Sequence, residues 1–300
     1  MSDITLIDDS EQSSLVTNGL VKNGELYLKK AGSTSAGAIV AYDNGVWRTF
    51  ANEAASYAND YSVSFDGSND YIQTSYSPAS SSGFTMSFWM KSSDTSNSIT
   101  FVSNGTSDGY PGGFSLLSPS GTKAFYVLIA NSSGNTSLNN NVGSSGSTLD
   151  VRDGEWHHIA ATISGTSVKI YKDGGDAAIN SGNPSNTQGT PFATWTSSVA
   201  YTGNTGNAYY FGRNGGYNSY FYPGLLDEVA LFETELTGSN ISAIYNSGVP
   251  ADVAASFSPT GYWRMGDNDS GTGTTITDQG SGGNDGTLTN GPTFSSDVPS

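Results

Sequence analysis

The chain has 300 residues, no cysteine, and 27 acidic against 11 basic residues, which gives a formal net charge of −16. The lack of cysteine excludes disulfides, thiolate nucleophiles and cysteine-based zinc sites, and the negative charge disfavours nucleic acid and anionic membranes as partners. No stretch reaches the roughly 18 apolar residues of a membrane helix, so we expect no membrane insertion. Thirty-eight glycines and 12% aromatic residues indicate an all-β chain of short strands and many turns.

The N-terminal segment differs in pattern from the rest of the chain. Residues 1–14 lack the basic and apolar regions of a secretory signal, so we expect synthesis in a cytoplasm. Further on, two apolar runs flank Asn44 and Gly45, which tolerate the positive φ angles of a tight hairpin turn. A segment of this size cannot bury a large core. Residues 1–56 are therefore predicted to form a small β-hairpin module that docks onto the main domain or another chain.

From residue 57 onward, short runs alternate between apolar and polar residues, which is the period of a strand with one buried face. The clearest run is Phe84–Met90. Its even-numbered residues form an apolar inward face, namely Phe84, Met86, Phe88 and Met90, and Trp89 lies on the opposite face. Several similar runs follow, separated by loops rich in Gly, Ser and Asn. This spacing predicts a large antiparallel β domain.

One segment, Thr237–Asn246, has the pattern of a short helix. Thr237 or Ser239 can cap its N-terminus, and Ile241 and Ile244 share an apolar face. We expect a single helix at this point, packed by that face against the strands.

The two histidines of the chain are neighbours, His157 and His158, at the start of a predicted strand. Successive strand residues point to opposite faces, so these side chains cannot ligate one metal together. His157 shares its face with Ile159 and Ala161, which indicates a core or hydrogen-bonded structural histidine. No serine is placed to complete a Ser-His-Asp site.

Several motifs between residues 57 and 250 occur in an order that is similar to the laminin-G-like branch of the concanavalin A-like lectin/glucanase superfamily. They are Phe65–Tyr71, Phe84–Met90, Trp156–Ala160 with Tyr171–Gly174, and Gly224–Phe232 ahead of the helix. The resemblance implies a two-sheet antiparallel jelly-roll sandwich over residues 57–300. In this family, a piece similar to Gly261–Pro292 usually precedes the first motif. Residues 251–300 are therefore expected to complete the sandwich as a permuted strand and tail, or to begin a partial second unit.

The resemblance raises the question of glycosidase activity. Glucanase relatives carry two carboxylates on one face of a strand, on either side of a glycosidic bond. Here Asp227 and Glu228 are adjacent and so point to opposite faces, while Glu233 and Glu235 lie at the corner between strand and helix. We therefore expect no enzymatic activity.

A structural calcium ion on the rim of the sandwich is also implied by the resemblance, because such domains bind it through carboxylate and carbonyl oxygens. The candidate ligands are Asp66, Asn69 and Asp70, which share one tight turn, and Asp227, on a strand that could neighbour that turn. Asp and Asn also form turns through side-chain-to-backbone hydrogen bonds. Both interpretations stay open for each residue.

Glycan recognition needs exposed aromatic rings beside amide or charged groups. The densest aromatic segment is Tyr209–Tyr222, in which Tyr209, Phe211 and Phe221 are expected to pack inside. Tyr217 lies at the expected loop tip, where an exposed and a packed ring are equally compatible with the pattern. The candidate carbohydrate-binding residues are Tyr217, Arg213, Asn214, Asn218, Trp195 and Tyr110.

Lectin-like sandwiches usually act outside cells, whereas this sequence has neither a signal pattern nor disulfides. A bacteriophage virion protein is made in the host cytoplasm and is exposed on the particle surface after lysis. Residues 1–56 are also similar to attachment modules of phage fibre and decoration proteins. The sequence thus predicts a structural protein of the virion surface that self-associates, with a trimer as one arrangement. It is expected to contact other virion proteins through residues 1–56 and host-surface glycan through the sandwich. Purely structural capsid or tail decoration, and a bacterial carbohydrate-binding adhesin, are the alternatives.

Overall fold

The computed structural model describes residues 57–79, 83–105, 111–118, 120, 125–130, 136–142, 151–175, 193–203, 207–216 and 218–300, with four strands among the first 56 residues. The chain divides into two compact units, Met1–Ala58 and Asn59–Ser300. No helix among the described residues is long and apolar enough to cross a membrane.

The first unit contains a sheet of four strands in sequence order. The strands are β1 (Thr5–Ile7), β2 (Leu26–Lys29), β3 (Ile39–Asp43) and β4 (Val46–Phe50). β1 and β2 run parallel, whereas β3 pairs antiparallel with β4 from Ile39 opposite Phe50 to Asp43 opposite Val46. This register confirms the predicted pairing of the two apolar runs.

The second unit is a sandwich of two antiparallel sheets, which confirms the predicted fold class. Its strands are β5 (Ser62–Asp66), β6 (Tyr71–Thr74), β7 (Gly83–Lys91), β8 (Ile99–Gly105), β9 (Pro111–Ser118), β10 (Phe125–Ala130), β11 (Thr136–Val142), β12 (His157–Ser164), β13 (Ser167–Lys172), β14 (Ala193–Thr196), β15 (Tyr209–Phe211), β16 (Pro223–Phe232), β17 (Gly261–Trp263), β18 (Thr275–Ile276), β19 (Gly286–Thr289) and β20 (Thr293–Ser295). Sheet I has the order β11-β10-β9-β8-β15-β6-β19-β18. Sheet II has the order β14-β13-β12-β7-β16-β5-β20, with β17 also paired to β16.

The core lies between the two sheets. The inward-facing residues predicted in Phe84–Met90 are fully buried there. Trp89 points to the outer face of sheet II and is also buried. Trp89 is buried because a helix covers that face: the ring of Tyr245 lies 5.6 Å from the Trp89 ring. Both faces of β7 are therefore interior, which is why nearly every residue of this strand is shielded from water.

Two α-helices follow β16. Helix α1 (Gly238–Tyr245) confirms the predicted helix, and the Thr237 hydroxyl caps it by accepting a hydrogen bond from the Asn240 amide at 3.2 Å. Its buried Ile241 and Ile244 belong to the apolar cluster on the outer face of sheet II. Helix α2 (Val253–Phe257) was not predicted, because five residues are too few to show a helical period.

The C-terminal segment pairs with both sheets of the sandwich. β17 lies against β16 and β20 against β5 in sheet II, while β19 pairs with β6 in sheet I and with β18. Carboxylates hold the turns between these strands: Asp278 accepts hydrogen bonds from the backbone amides of Tyr262, Gly280 and Asn284 at 2.7–2.8 Å. Asp269 likewise accepts two bonds from Thr277. The acidic residues of this segment therefore act in turns.

The two histidines have different environments. His157 lies between two carboxylates, with Nδ1 2.9 Å from Asp173 and Nε2 3.2 Å from Asp153, which confirms the prediction of a hydrogen-bonded structural histidine. His158 is completely buried on the opposite face, with Nε2 2.8 Å from the Ser87 hydroxyl. Burial lowers the pKa of His158 to about 4, so the ring is neutral at neutral pH.

We expect this buried histidine to make stability depend on pH. Its ordinary pKa of 6.5 falls to about 4 in the folded state, so its contribution is complete above pH 6.5 and is lost as pH falls from 6.5 towards 4. The loss approaches about 3 kcal/mol. Urea unfolding of the wild-type chain and His158→Gln at several pH values measures it. A wild-type curve that falls no more steeply than that of the variant would contradict the prediction.

Candidate functional site

The candidate site lies on the outer face of sheet I, where β6 and β15 are neighbours. In β15, Tyr209 and Phe211 are fully buried, so Tyr210 between them points outward. In β6, Tyr71 and Gln73 alternate in the same way with buried residues, and Gln73 lies opposite Tyr210. Two half-buried tyrosine rings therefore meet on the solvent side of the sheet, with centroids 6.1 Å apart and a tilt of 59°.

Arg213 follows β15 and lies over one face of each ring. Its guanidinium carbon lies 4.2 Å from the centroid of Tyr71 and 4.2 Å from that of Tyr210. One terminal nitrogen donates a hydrogen bond to the Asn218 amide oxygen at 2.7 Å. Cation–π contacts of this kind are worth about 0.5–1 kcal/mol each at exposed positions. We call Tyr71, Tyr210, Arg213 and Asn218 the arginine–tyrosine patch.

The loop that carries Arg213 and Asn218 is held by its own backbone. The Asn214 amide donates to the Ser219 carbonyl at 3.0 Å, and the Asn214 side chain accepts from the Gly216 amide at 2.9 Å. The Gly215 amide donates to the Ser103 hydroxyl of β8 at 2.7 Å. Asn214 itself is buried. Of the predicted residues, Arg213 and Asn218 come together at the surface, whereas Asn214 shapes the loop beneath them.

Of the other predicted carbohydrate-binding residues, the structure describes only Trp195, which lies away from this patch. Trp195 lies on β14 of sheet II, opposite Val168, and is partly buried against the core. Tyr217 and Tyr110 lie outside the described residues. A further aromatic ring, Tyr220, is 45% exposed at the end of the Arg213 loop and has a left-handed backbone with φ 54°.

The predicted calcium ligands occupy two separate places. Asp66 accepts hydrogen bonds from the Ser68 and Asn69 amides at 2.7 and 3.4 Å, and Asp70 accepts one from the Asp66 amide at 3.0 Å. Pro223 lies opposite Asp66, so Asp227 is four residues further along β16 from this turn. Among the described residues, no group of three or more histidine or acidic side chains is arranged to hold a metal ion. The Asp66–Asp70 turn therefore offers carboxylates without a complete cage of oxygen ligands.

The adjacent acidic residues of β16 are both buried. A bulge at this position places Asp227 opposite Trp89 and Ala230 opposite Ser87, and Glu228 within it has φ 50°. Asp227 accepts hydrogen bonds from the Asn59 side chain and the Glu228 amide at 3.0 and 2.8 Å. Burial and the neighbouring Glu228 charge raise the pKa of Asp227 well above its usual value.

Glu228 is engaged on both carboxylate oxygens. One accepts a hydrogen bond from the Tyr262 hydroxyl, and the other lies 3.3 Å from Arg264 Nε. Only 3% of Glu228 and none of Asp227 is exposed. This carboxylate pair therefore lies in the protein interior.

The sequence of residues 66–242 identifies the family to which the chain belongs. The concanavalin A-like lectin/glucanases superfamily, in its laminin G branch, matches residues 66–242, which is more than half of the chain. The chain belongs to this superfamily. We now call the second unit the lectin-like sandwich. It contains all of the matched residues, and none of them lies in the N-terminal sheet.

Solved structures resemble this chain at low sequence identity. A candidate carbohydrate-binding protein from Bacteroides ovatus aligns with a TM-score of 0.56 and 17% identity, over 93% of this chain and 72% of that one. A pentraxin from Limulus polyphemus aligns at 0.44 and 15%, over 62% and 82%. Mouse laminin α1 domains LG4-5 align at 0.39 and 13%, over 65% and 48%. A search of curated proteins gives no match. At 17% identity, the similarity to the Bacteroides ovatus structure establishes the fold and nothing further.

Sequence reasoning missed two members of the arginine–tyrosine patch of this lectin-like sandwich, Tyr71 and Tyr210. A signal was present, since each ring alternates with buried neighbours: Tyr210 lies between Tyr209 and Phe211, and Tyr71 precedes Ile72. Strand periodicity thus places both rings on an outward face. Their meeting depends on the pairing of β6 with β15, which the local pattern does not contain.

Proposed function

We propose that the chain is a non-enzymatic bacteriophage structural protein that displays its lectin-like sandwich on the virion surface and attaches to host-surface glycan. The arginine–tyrosine patch is the observation that supports the glycan-binding part of this proposal. It presents two aromatic rings, a guanidinium and an amide on one face of a sheet. Aromatic rings pack against the C–H faces of sugars, and the amide and guanidinium provide directional hydrogen bonds to their oxygens.

Two further observations support glycan binding. Gln73 and Thr287 are exposed and lie opposite each other on β6 and β19, beside the tyrosine rings, so an amide and a hydroxyl extend the polar edge of the patch. In addition, the Bacteroides ovatus structure with the same fold is described as that of a candidate carbohydrate-binding protein.

The absence of catalysis in this proposal is supported by the position of the acidic pair on β16. Glycoside hydrolysis needs two carboxylates that flank the scissile bond, one of which donates a proton while the other contacts the sugar or water. Asp227 and Glu228 are buried, and their oxygens accept hydrogen bonds from within the chain. Release of reducing ends from a host polysaccharide by the purified chain would contradict this part of the proposal.

Residues 1–56 are proposed to attach the chain to the particle through contacts with other virion proteins. The chain is also proposed to self-associate, and a trimer is one possible arrangement. In support, the strands of this region form a compact unit separate from the sandwich. The proposal is tested by binding of the purified full chain to virions and to host cells. Binding to both surfaces is expected. Virion binding alone would favour structural decoration, cell binding alone a bacterial adhesin, and binding to neither would overturn the proposal.

Removing one ring of the patch should weaken cell binding. Tyr210→Ala removes a stacking surface and one of the two cation–π contacts of Arg213, so we expect about 5- to 20-fold weaker binding. Titration of fluorescently labelled full chain onto host cells measures the change. Tyr126→Ala on β10, three strands from β15 in sheet I, is the matched control. Equal losses in both variants would argue against the patch as the site.

Calcium stays a prediction at the Asp66–Asp70 turn. This turn by itself supplies only part of an oxygen cage, so an ion there would complete its shell with carbonyl oxygens and water. The expected result is a Tm about 2–4 °C higher in Ca²⁺ than in EDTA, with no difference in Asp66→Asn. The same Tm in Ca²⁺ and in EDTA for the wild-type chain would show that hydrogen bonds alone organise the turn.

A further inference from the structure

Arg213 differs from several other cations of the sandwich in having no acidic partner among the described residues. Arg264, Lys91 and Lys169 each form an ion pair with an acidic side chain. Among the described residues, no ion pair includes Arg213, and its hydrogen bond goes to the neutral amide oxygen of Asn218. The chain has 27 acidic and 11 basic residues, yet none of the described acidic side chains pairs with Arg213.

The surroundings of Arg213 hold its guanidinium in place without neutralising it. The rings of Tyr71 and Tyr210 contact the cation through their π faces, which attract the charge but do not cancel it. Asn218 uses one donor of one terminal nitrogen, and Nε is buried without a hydrogen-bond partner among the described residues. A guanidinium has five N–H donors in a planar fork. Among the residues that the structure describes, no hydrogen bond uses the second terminal nitrogen, which therefore remains as a donor to a ligand.

A planar, oriented guanidinium fits one chemical group better than others, namely a carboxylate. Arginine binds carboxylates through short, charge-assisted hydrogen bonds in a fixed geometry, and these are about twice as strong as bonds between neutral groups. The neutral hydroxyls of an ordinary hexose would leave the positive charge of Arg213 unmatched. The exposed Gln73 and Thr287 beside the rings offer partners to the hydroxyls of the same sugar.

We propose that the arginine–tyrosine patch binds an acidic sugar, with its carboxylate on Arg213 and its ring against Tyr71 or Tyr210. This inference rests on the proposed glycan-binding function and names its ligand class. Uronic acids and sialic acids share the required carboxylate. The net charge of −16 repels polyanions in general, so such binding must come from the local contacts of the patch rather than from long-range attraction.

The inference is tested with the full chain by calorimetric titration of matched acidic and neutral sugars. The probes are sialyllactose against lactose, and tetragalacturonic acid against its methyl ester, so that the two sources of carboxylate are distinguished. At least one acid is expected to bind about tenfold or more tightly than its neutral partner. Arg213→Gln should weaken binding of that acid about 10- to 100-fold, and Arg213→Lys should weaken it less, because the charge is kept but the fork is lost.

Two further variants separate recognition from general charge effects. Lys169→Gln removes the same charge from β13 of sheet II and should leave sugar binding unchanged. Asn218→Asp places a carboxylate where an amide oxygen now lies 2.7 Å from the Arg213 guanidinium. This internal ion pair should occupy Arg213 and reduce binding of the acid about tenfold, while the fold is retained. The Tm of every variant is measured alongside.

The outcomes distinguish this inference from the function on which it rests. Equal affinity for acidic and neutral sugars, or unchanged acid binding in folded Arg213→Gln, would overturn the acidic-sugar inference and leave glycan attachment standing. Binding to none of the sugars, together with wild-type binding to host cells that Tyr210→Ala does not weaken, would overturn both.

Discussion

Replacing Trp263 by alanine is expected to lower the free energy of unfolding by about 3–5 kcal/mol. Trp263 is completely buried on β17, and its ring lies 5.0 Å from Phe211 and 6.0 Å from Tyr76 in edge-to-face contacts. Its Nε1 donates a hydrogen bond to the Asn284 carbonyl at 3.0 Å. The substitution leaves a cavity where a strand of the C-terminal segment meets the core. Equilibrium urea denaturation measures the loss.

The matched control is the same substitution at Trp156. That side chain is half-buried, and its Nε1 donates to the Asp297 carboxylate at 2.8 Å. We expect Trp156→Ala to cost only about 1–2 kcal/mol. Comparable losses for the two variants would mean that the C-terminal segment contributes less to the core than its burial indicates.

Removal of the Arg264 cation is the second change with a large expected effect. Arg264 lies 3.3 Å from Glu228 and 2.9 Å from Asp267, and both carboxylate side chains are less than 5% exposed. Arg264→Met leaves these two carboxylates without a cation in the interior, at a cost of about 3–5 kcal/mol. Burial already raises the pKa of Asp267 in the intact protein.

The pH dependence of this variant identifies the cause. Without Arg264, the pKa of Asp267, which burial already raises, rises further. The folded state of the variant therefore binds protons more readily than the unfolded state. The difference in stability between the wild-type chain and Arg264→Met should therefore shrink as pH is lowered from neutral. Adding Glu228→Gln to Arg264→Met should restore part of the loss at neutral pH. A difference that is independent of pH would instead indicate lost packing of the arginine stem.

The strands of the sandwich were predictable because their signal is local. Alternation in Phe84–Met90 identifies the inward face of β7, since a strand half-buried on one side needs apolar residues at every second position. The cap at Thr237 and the apolar pair Ile241 and Ile244 likewise identify α1 within one short window. What this pattern does not contain is the burial of Trp89 on the outer face, which depends on a helix that arrives much later in the chain.

The candidate site shows the same division. Arg213 and Asn218 are close in sequence, and a short loop is enough to bring them together. Tyr71 and Tyr210 join them only because β6 pairs with β15 in the register that sets Gln73 opposite Tyr210. Trp195, also predicted for the site, has polar neighbours in sequence, yet strand pairing places it on sheet II. How close two residues far apart in sequence come in space depends on which strands pair and in which register.

By itself, the sequence determined the all-β class, the superfamily, the main helix and the structural role of His157, because each follows from short-range periodicity or from motif order. Only the tertiary structure decided that the β16 carboxylates are buried beside the C-terminal segment. It also decided that Arg213, which has no acidic partner among the described residues, rests on two tyrosines. Both arrangements depend on long-range strand order, since the free energy of burying a charge or stacking a ring is set by neighbours that the local sequence does not specify.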